Sequence, residues 1–179
     1  MLIALIGPQN SGKTTLLAKC KSVFGDKFEY VDEIARTVQR KGFKINEDGE
    51  DVGQLLIINT HLDNSLKKNA ILDRGIIDAL VYAYYSYKRE KISKWVYDYC
   101  VNMVNLIVGK YDLVFYLDPN IPLKADGVRN INPEFRNEII SYFESFFDGN
   151  KKNKNLIRLT GSVEERFATM QKAIEALGK

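Results

Sequence analysis

A short motif near the start of the chain constrains its fold more than any other feature. The segment Gly7–Thr14, with the sequence GPQNSGKT, fits the pattern G-x-x-x-x-G-K-[ST] and lies between an apolar run and a helical stretch. Glycines in such a loop allow backbone N–H groups to point at a phosphate, and the following helix adds the positive end of its dipole. A chance match in a chain of this length is expected well under ~1% of the time. The motif therefore predicts a strand–loop–helix unit that binds nucleotide phosphates.

The motif predicts which residues contact ATP and magnesium. Lys13 would place its ammonium on the β- and γ-phosphates of ATP, and the hydroxyl of Thr14 would bind magnesium. Gly161 and Ser162, in the turn before the last helix, would either line the adenine or serve only to cap that helix. The full predicted ATP-binding set is Gly7, Asn10, Ser11, Gly12, Lys13, Thr14, Thr15, Arg129, Gly161 and Ser162.

Short apolar runs alternate with longer helical stretches along the chain. The predicted strands are Leu2–Ile6, Phe28–Val31, Ala70–Leu72, Leu113–Leu117 and Leu156–Leu159. The predicted helices are Lys13–Phe24, Glu33–Lys41, Asp51–Lys68, Asp78–Tyr87, Ile92–Val108, Pro133–Phe147 and Ser162–Leu177. Strands that alternate with helices are joined by right-handed crossovers, so the pattern predicts an α/β fold with a doubly wound parallel sheet. The 179 residues are expected to form a single domain.

Composition narrows the setting of the protein. The two cysteines, Cys20 and Cys100, lack metal-ligand spacing, and the one histidine, His61, cannot form a zinc site alone and is expected on a helix surface. A reduced, cytoplasmic location is the simplest interpretation. The apolar start Leu2–Ile6 is too short for a signal or a membrane span. A net charge of +3 is compatible with a phosphate ligand and does not by itself indicate nucleic acid. The oligomeric state, monomer or homodimer, is left open.

Charged side chains follow two of the predicted strands, at the sheet edge where ligands of open α/β folds bind. After the third strand, Asp73 would hold magnesium and Arg74 would bind the transferring or acceptor phosphate. After the second strand, Glu33 or Asp32 would accept a proton from a substrate hydroxyl, or would only favour the helix dipole. Arg36, one turn later, would bind an acceptor phosphate.

Residues 118–136 include a stretch rich in proline, glycine and asparagine, which favours a loop. We expect this segment to act as a lid. Phosphoryl transfer requires the exclusion of water and the neutralisation of charge that spreads over the phosphate oxygens. A lid that closes with Arg129 would exclude water and neutralise that charge. Lys124 and Arg136 are left without an assigned role.

The motif alone does not decide which kind of nucleotide-binding protein this is. A GTPase would carry N-K-x-D, but the nearest string, Asn153–Leu156, lacks the aspartate, and no D-x-x-G follows the third strand. A GTPase is therefore not expected. No arginine finger or signature of an oligomeric ATPase is evident.

Taken together, these residues resemble a small bacterial and phage P-loop ATPase/kinase family that includes the nicotinamide riboside kinase domain. They are more distantly similar to deoxynucleoside and thymidylate kinases. The resemblance is carried by Gly7–Thr15, Asp32 to Arg36, Asp73-Arg74-Gly75, Asp126 to Arg129, and Thr160 to Arg166. It implies a sheet ordered 2-3-1-4-5 with a helical lid, Mg-ATP as donor, and Glu33 as base in an acceptor site between the second and third strand tips. Relatives carry Glu-Arg-Ser or Asp-Arg-Tyr at the third tip, so Gly75 implies a lost or moved substrate contact.

Two hypotheses from different classes follow. The first is a kinase for a nucleoside or nucleotide, in which Lys13 and Mg²⁺ bind the β/γ-phosphates, Glu33 orients the acceptor and Arg129 closes over the γ-phosphate. A variant places the acceptor hydroxyl on a polynucleotide or a modified base. The second is an ATP-hydrolysing binding or switch protein without a small-molecule acceptor.

Overall fold

A computed structural model describes residues 1–32, 34–119 and 132–178. Within these ranges, one parallel sheet has the strand order β2-β3-β1-β4-β5, which confirms the predicted order. The strands are β1 (Leu2–Ile6), β2 (Glu29–Val31), β3 (Ala70–Asp73), β4 (Leu113–Leu117) and β5 (Leu156–Leu159).

Helices flank the sheet in the order that the sequence pattern predicts. They are α1 (Lys13–Phe24), α2 (Ile34–Arg40), α3 (Asp51–Asn64), α4 (Ile76–Lys88), α5 (Lys94–Ile107), α6 (Pro133–Gly149) and α7 (Val163–Leu177). Asn132 caps α6 as expected, since its side chain accepts hydrogen bonds from the N–H groups of Glu134 at 3.0 Å and Phe135 at 3.3 Å. The largest difference from prediction is at α3, which ends four residues early, whereas α4 begins two residues early, α5 begins two residues late and α6 ends two residues late.

Alternate residues of the central strands enter two separate hydrophobic cores. Ala4 and Ile6 of β1 face a core that α4, α5 and α6 complete, whereas Ile3 and Leu5 face a second core that α1 and α7 complete. Both faces of the sheet are therefore covered, and the central strands β1 and β4 are continuous apolar runs rather than alternating ones. In the part of the chain that the structure describes, no helix is long and apolar enough to cross a membrane.

The strand register brings the carboxyl ends of β1, β2 and β3 to one edge of the sheet. Leu5 is in register with Asp73, and Val31 is in register with Leu72. The loop that follows β1 therefore lies beside the ends of the two strands that carry the predicted acidic and basic residues. This edge is where parallel α/β sheets bind their ligands.

His61 is buried, so the prediction that it lies on a helix surface is wrong. Its side chain is 1% exposed. The reason is that α3 packs against α2, α4 and α5 together, which leaves little of its circumference for solvent. Cys20 and Cys100 are free and buried, and burial raises the pKa of the Cys20 thiol to about 12 and that of the Cys100 thiol to about 11.

Candidate functional site

The loop between β1 and α1 adopts a backbone that glycine and asparagine make accessible. Gly7, Asn10 and Gly12 have φ angles of 141°, 58° and 89°. A Cβ atom on Gly7 would lie 3.0 Å from the carbonyl oxygen of Leu117, so the loop also passes too close to β4 for a side chain. The loop therefore leads straight into the N-terminus of α1, where unpaired N–H groups and the helix dipole favour an anion.

Lys13 is buried at the centre of this loop. Its ammonium donates hydrogen bonds to the carbonyl oxygens of Gly7 at 2.8 Å and Pro8 at 2.7 Å, and to Ser11 Oγ at 3.1 Å. These bonds hold the positive charge inside the curve of the loop. A lysine in that position is placed to contact a phosphate that the loop encloses.

Thr14 and Asp73 meet at the end of β3. The hydroxyl of Thr14 donates a 2.7 Å hydrogen bond to Asp73 Oδ2, so two oxygen donors lie side by side at the start of α1. Magnesium prefers such hard oxygen ligands and completes its shell with water and substrate phosphates. The pair therefore fits the predicted metal role. Among the described residues, no group of three or more histidine, cysteine or acidic side chains forms a metal-binding cluster of its own.

Arg74 and Asp78 form a buried ion pair beside the loop. Arg74 has a φ of 82° and donates to Asp78 Oδ1 at 3.2 Å and to the carbonyl oxygen of Gly7 at 3.4 Å. Asp78 also accepts hydrogen bonds from the N–H groups of Gly75 at 3.0 Å and Gly7 at 3.3 Å. Burial raises the pKa of Asp78, while Arg74, Lys13 and the two N–H groups act in the opposite direction. This network joins the phosphate-binding loop to the start of α4.

Two arginines support the outer side of the same loop. Arg166 of α7 donates to the carbonyl oxygens of Ser11 at 2.7 Å, Asp118 at 3.0 Å and Gly161 at 3.0 Å. Arg136 of α6 donates to the carbonyl oxygen of Gln9 at 3.4 Å. Burial lowers the pKa values of both guanidinium groups.

The sequence reasoning gave neither arginine a role. Their partners are backbone carbonyls 155 and 127 residues away along the chain, so no local pattern signals these contacts.

A cleft opens between the phosphate-binding loop and α2. Its volume is about 410 Å³, which lies within the range of small-molecule sites. Its wall includes Gln9, Arg36, Lys44, Arg74 and Phe135, together with other residues of segment 35–48. The cleft is therefore lined by both predicted substrate residues, Arg36 and Arg74, next to the loop that would hold ATP.

Gly75 has a packing reason to lack a side chain. A Cβ atom there would lie 2.9 Å from the Cβ of Ala4 and 3.5 Å from the hydroxyl of Tyr111. A side chain at this position would point into the sheet rather than into the cleft. Gly75 therefore offers no side chain to a molecule in the cleft.

The remaining predicted site residues fall into two groups. Asp32 is exposed at the end of β2, and Ser162 caps α7, where its Oγ accepts the N–H of Glu165 at 3.3 Å. Gly161 provides the φ of 82° that this turn needs. Glu33 and the lid residues 120–131, with Lys124 and Arg129, lie outside the described residues. The roles of Glu33 and Arg129 stay predictions.

The comparison with protein families decides where this chain belongs. A family model of the AAA domain, AAA_28, matches residues 2–166. The chain belongs to this family. Among curated proteins, none matches the sequence.

Solved structures that share the fold include a deoxyadenosine kinase and the NadR protein. Deoxyadenosine kinase from M. mycoides, with dCMP and dCDP, matches with a TM-score of 0.76 and 17% identity over 99% of this chain and 100% of that chain. The NadR protein in complex with NR matches with a TM-score of 0.71 and 19% identity over 98% of this chain and 50% of that chain. At these identities the likeness establishes the P-loop kinase fold, as the sequence resemblance predicted.

Proposed function

We propose that this protein is an ATP-dependent kinase that phosphorylates a nucleoside or nucleotide held in the cleft. The observation that carries the proposal is the juxtaposition of the Lys13 loop with a cleft whose wall carries Arg36 and Arg74. A protein that only hydrolyses ATP has no need of a second, substrate-sized cleft next to the γ-phosphate position. Similarity of fold to deoxyadenosine kinase and to NadR agrees with the proposal.

The donor side follows from the loop. Lys13 would exchange its bonds to the loop carbonyls for bonds to the β- and γ-phosphates, and the N–H groups at the start of α1 would orient the same oxygens. Thr14 and Asp73 would hold magnesium, which when bound neutralises charge on the phosphate oxygens. Arg166 and Arg136 fix the conformation of the loop by hydrogen bonds to its carbonyl groups. Because the loop is already ordered, ATP binding costs less conformational entropy.

The acceptor side follows from the cleft. Arg36 and Arg74 add positive charge where a transferring or acceptor phosphate would lie, and a planar guanidinium can bind two oxygens of one phosphate. Glu33, predicted from the sequence as the base, would take the proton of the attacking hydroxyl. Arg129 of the predicted lid would close over the γ-phosphate. Reaction is then in-line transfer from ATP to a hydroxyl or phosphate oxygen of the acceptor.

The experiment that tests the proposal separates acceptors by class. The full chain is incubated with ATP, Mg²⁺ and, in separate panels, nucleosides, nucleoside monophosphates, nicotinamide riboside, and 5′-hydroxyl or hydroxymethylated DNA. Mass spectrometry then detects the gain of one phosphoryl group. Transfer to a nucleoside or nucleotide supports the proposal. Transfer to DNA alone favours the polynucleotide variant, and no product from any panel overturns the kinase assignment.

Two variants connect the result to the site. Lys13→Ala is expected to lower turnover by at least about 100-fold, because it removes the charge that stabilises the transferring phosphate. Lys21→Ala, at an exposed position of the same helix, serves as the control. Glu33→Gln is expected to slow transfer and leave ATP binding intact. Full activity of Glu33→Gln would show that another group is the base.

The second candidate, an ATP-hydrolysing switch protein, is favoured by one finding, since the matching family is described as an AAA domain. It predicts that ATP hydrolysis proceeds at the same rate with and without each acceptor. The kinase proposal predicts ADP formation that increases when the correct acceptor is added.

A further inference from the structure

The cleft has an inner end that the proposed phosphoryl transfer does not use. This inner cavity has a volume of about 30 Å³ and shares part of its wall with the cleft, including Ala35, Ile45 and Arg74. A space of this size holds one or two water molecules or the polar edge of a flat ring. Its wall is mostly apolar but includes two polar side chains of α3, Gln54 and His61. The inner cavity therefore has the character of a recognition pocket behind the reacting groups.

His61 carries the feature that points to a ligand. The side chain is almost completely buried and lines the inner cavity, yet its Nδ1 atom has no hydrogen-bond partner among the described residues. Buried nitrogen atoms nearly always have a partner in protein, ordered water or ligand. An unpaired nitrogen that lines a cavity next to the acceptor cleft is therefore placed to bond an incoming molecule.

The charge state of His61 limits what that molecule can be. Burial lowers the pKa of His61 to about 3, and the nearby Arg74 acts in the same direction. The imidazole is therefore neutral at physiological pH, and Nδ1 offers either one N–H or one lone pair. A neutral polar edge suits this atom better than an ionised group does, because burying an unpaired charge is strongly unfavourable.

Gln54 provides a second polar atom with a fixed orientation. Its Nε2 donates a 2.9 Å hydrogen bond to the carbonyl oxygen of Ala79. Because a carbonyl only accepts hydrogen bonds, the amide nitrogen must face Ala79. The second contact of Nε2 is the Cys100 sulfur at 3.8 Å. Gln54 Oε1 is then the atom of this amide that can accept an N–H from a ligand.

We propose that His61 Nδ1 and Gln54 Oε1 bind the amide-type edge of a planar nitrogen heterocycle carried by the acceptor. Such an edge places an N–H donor beside a ring nitrogen or a carbonyl oxygen, which matches one carboxamide oxygen and one neutral imidazole nitrogen. The proposal rests on the proposed function, because it assigns the inner cavity to part of the same acceptor. Two sources share this chemistry, a nucleobase and a nicotinamide carboxamide.

Calorimetric titration without ATP tests the inference, since it measures binding independently of phosphoryl transfer. One arm compares deoxyadenosine with its 1-deaza analogue, which lacks the ring nitrogen of the amide-type edge. The other compares nicotinamide riboside with nicotinic acid riboside, in which a carboxylate replaces the amide. In at least one arm, wild-type protein should bind the intact edge about tenfold or more tightly than the altered edge.

Variants at position 61 test whether the Nδ1 atom of His61 makes the hydrogen bond to the intact edge. His61→Leu has no polar atom at Nδ1, and His61→Gln places its amide nearer the position of Nε2, so both should lose the preference for the intact edge. His61→Asn keeps a polar atom near Nδ1 and should retain part of it, while Thr60→Leu, exposed on the same helix, should bind like wild type.

Three results would overturn the inference. They are no preference in either arm, no binding of any of the four probes, and a preference that survives in the folded His61→Leu or His61→Gln protein. If wild-type protein shows the edge preference but transfers no phosphate to any acceptor, the proposed function fails and the inference holds. If phosphate is transferred and the preference survives in either variant, the inference fails and the proposed function holds.

Discussion

Two buried residues near the phosphate-binding loop have opposite hydrogen-bonding states. Asp78 accepts hydrogen bonds from two backbone N–H groups and from Arg74, whereas the Nδ1 atom of His61 has no partner among the described residues. A buried carboxylate with three donors stabilises local structure, because its bonds replace those it loses to water. An unpaired imidazole nitrogen destabilises the fold. Asp78 therefore fits a role in shaping the loop, and His61 fits a role in binding.

The burial of His61 has a consequence for stability at acid pH. The folded state keeps His61 neutral down to about pH 3, whereas the unfolded chain takes up a proton below about pH 6.5. Between these values the unfolded state binds more protons, so the free energy of unfolding decreases as the pH falls. At pH 5 this lowers the stability of the wild type by about 2 kcal/mol relative to a chain without the group.

Urea unfolding of wild type and His61→Leu at pH 7.5 and pH 5 measures this effect. The wild type should lose about 2 kcal/mol more than the variant between the two values. Parallel losses in the two proteins would show that His61 is protonated in the folded state or that it is not buried.

At the scale of secondary structure, the turn from β3 into α4 fixes the position of Arg74 relative to the loop. Gly75 lies against Ala4 of β1 and donates its N–H to Asp78, and the first N–H of the helix, that of Ile76, donates to the Tyr111 hydroxyl. This close contact between α4 and the sheet holds Arg74 next to the carbonyl of Gly7.

Gly75→Ala should therefore push α4 away from β1, because the added Cβ would lie 2.9 Å from the Cβ of Ala4. We expect a loss of about 1–3 kcal/mol in the free energy of unfolding, which is typical of overpacking. Gly109→Ala is the control, since a Cβ atom there meets nothing within 4 Å. Equal stability of the two variants in urea unfolding would show that the turn tolerates a side chain.

The contacts of α7 make a separate prediction about the loop. Arg166 donates hydrogen bonds to the carbonyl oxygens of Ser11, Asp118 and Gly161. Arg166→Met would therefore remove the bonds that connect the phosphate-binding loop, the end of β4 and the turn before α7. ATP binding should weaken by about tenfold or more, because the loop loses its preorganisation. Fluorescence titration with a labelled ATP analogue measures the effect, with Lys172→Met on the exposed side of α7 as control. Unchanged affinity would mean that Lys13 and the glycines shape the loop without Arg166.

The sequence predicted some elements better than others for physical reasons. The central strands β1 and β4 are short apolar runs in which every residue is buried, and this pattern does not depend on distant contacts. Helix α3 instead carries apolar residues around its circumference, including the exposed Val52, so its pattern does not show which side faces the core. That is why the burial of His61 and the position of Gln54 beside it in the wall of the inner cavity were not predicted.

For the whole molecule, the order of the strands determines what is brought together. With β1 between β3 and β4, the loop after β1 is flanked by Asp73 on one side and by the α7 arginine and the end of β4 on the other. The loop motif with Thr14 and the position of Asp73 were predicted from local patterns, because the motif begins directly after β1 and Asp73 is the last residue of β3. The contacts of Asp78, Arg136 and Arg166 with the loop were not, because tertiary packing brings those residues to Gly7, Gln9 and Ser11.

The proposed function differs from simple ATP hydrolysis in the fate of the γ-phosphate, and the stoichiometry of the reaction tests this difference most directly. With the best acceptor from the panels, ADP and phosphorylated acceptor should form in equal amounts, and Lys13→Ala should abolish both. Production of ADP and inorganic phosphate at a rate that no acceptor changes, without any phosphorylated product, would contradict the account.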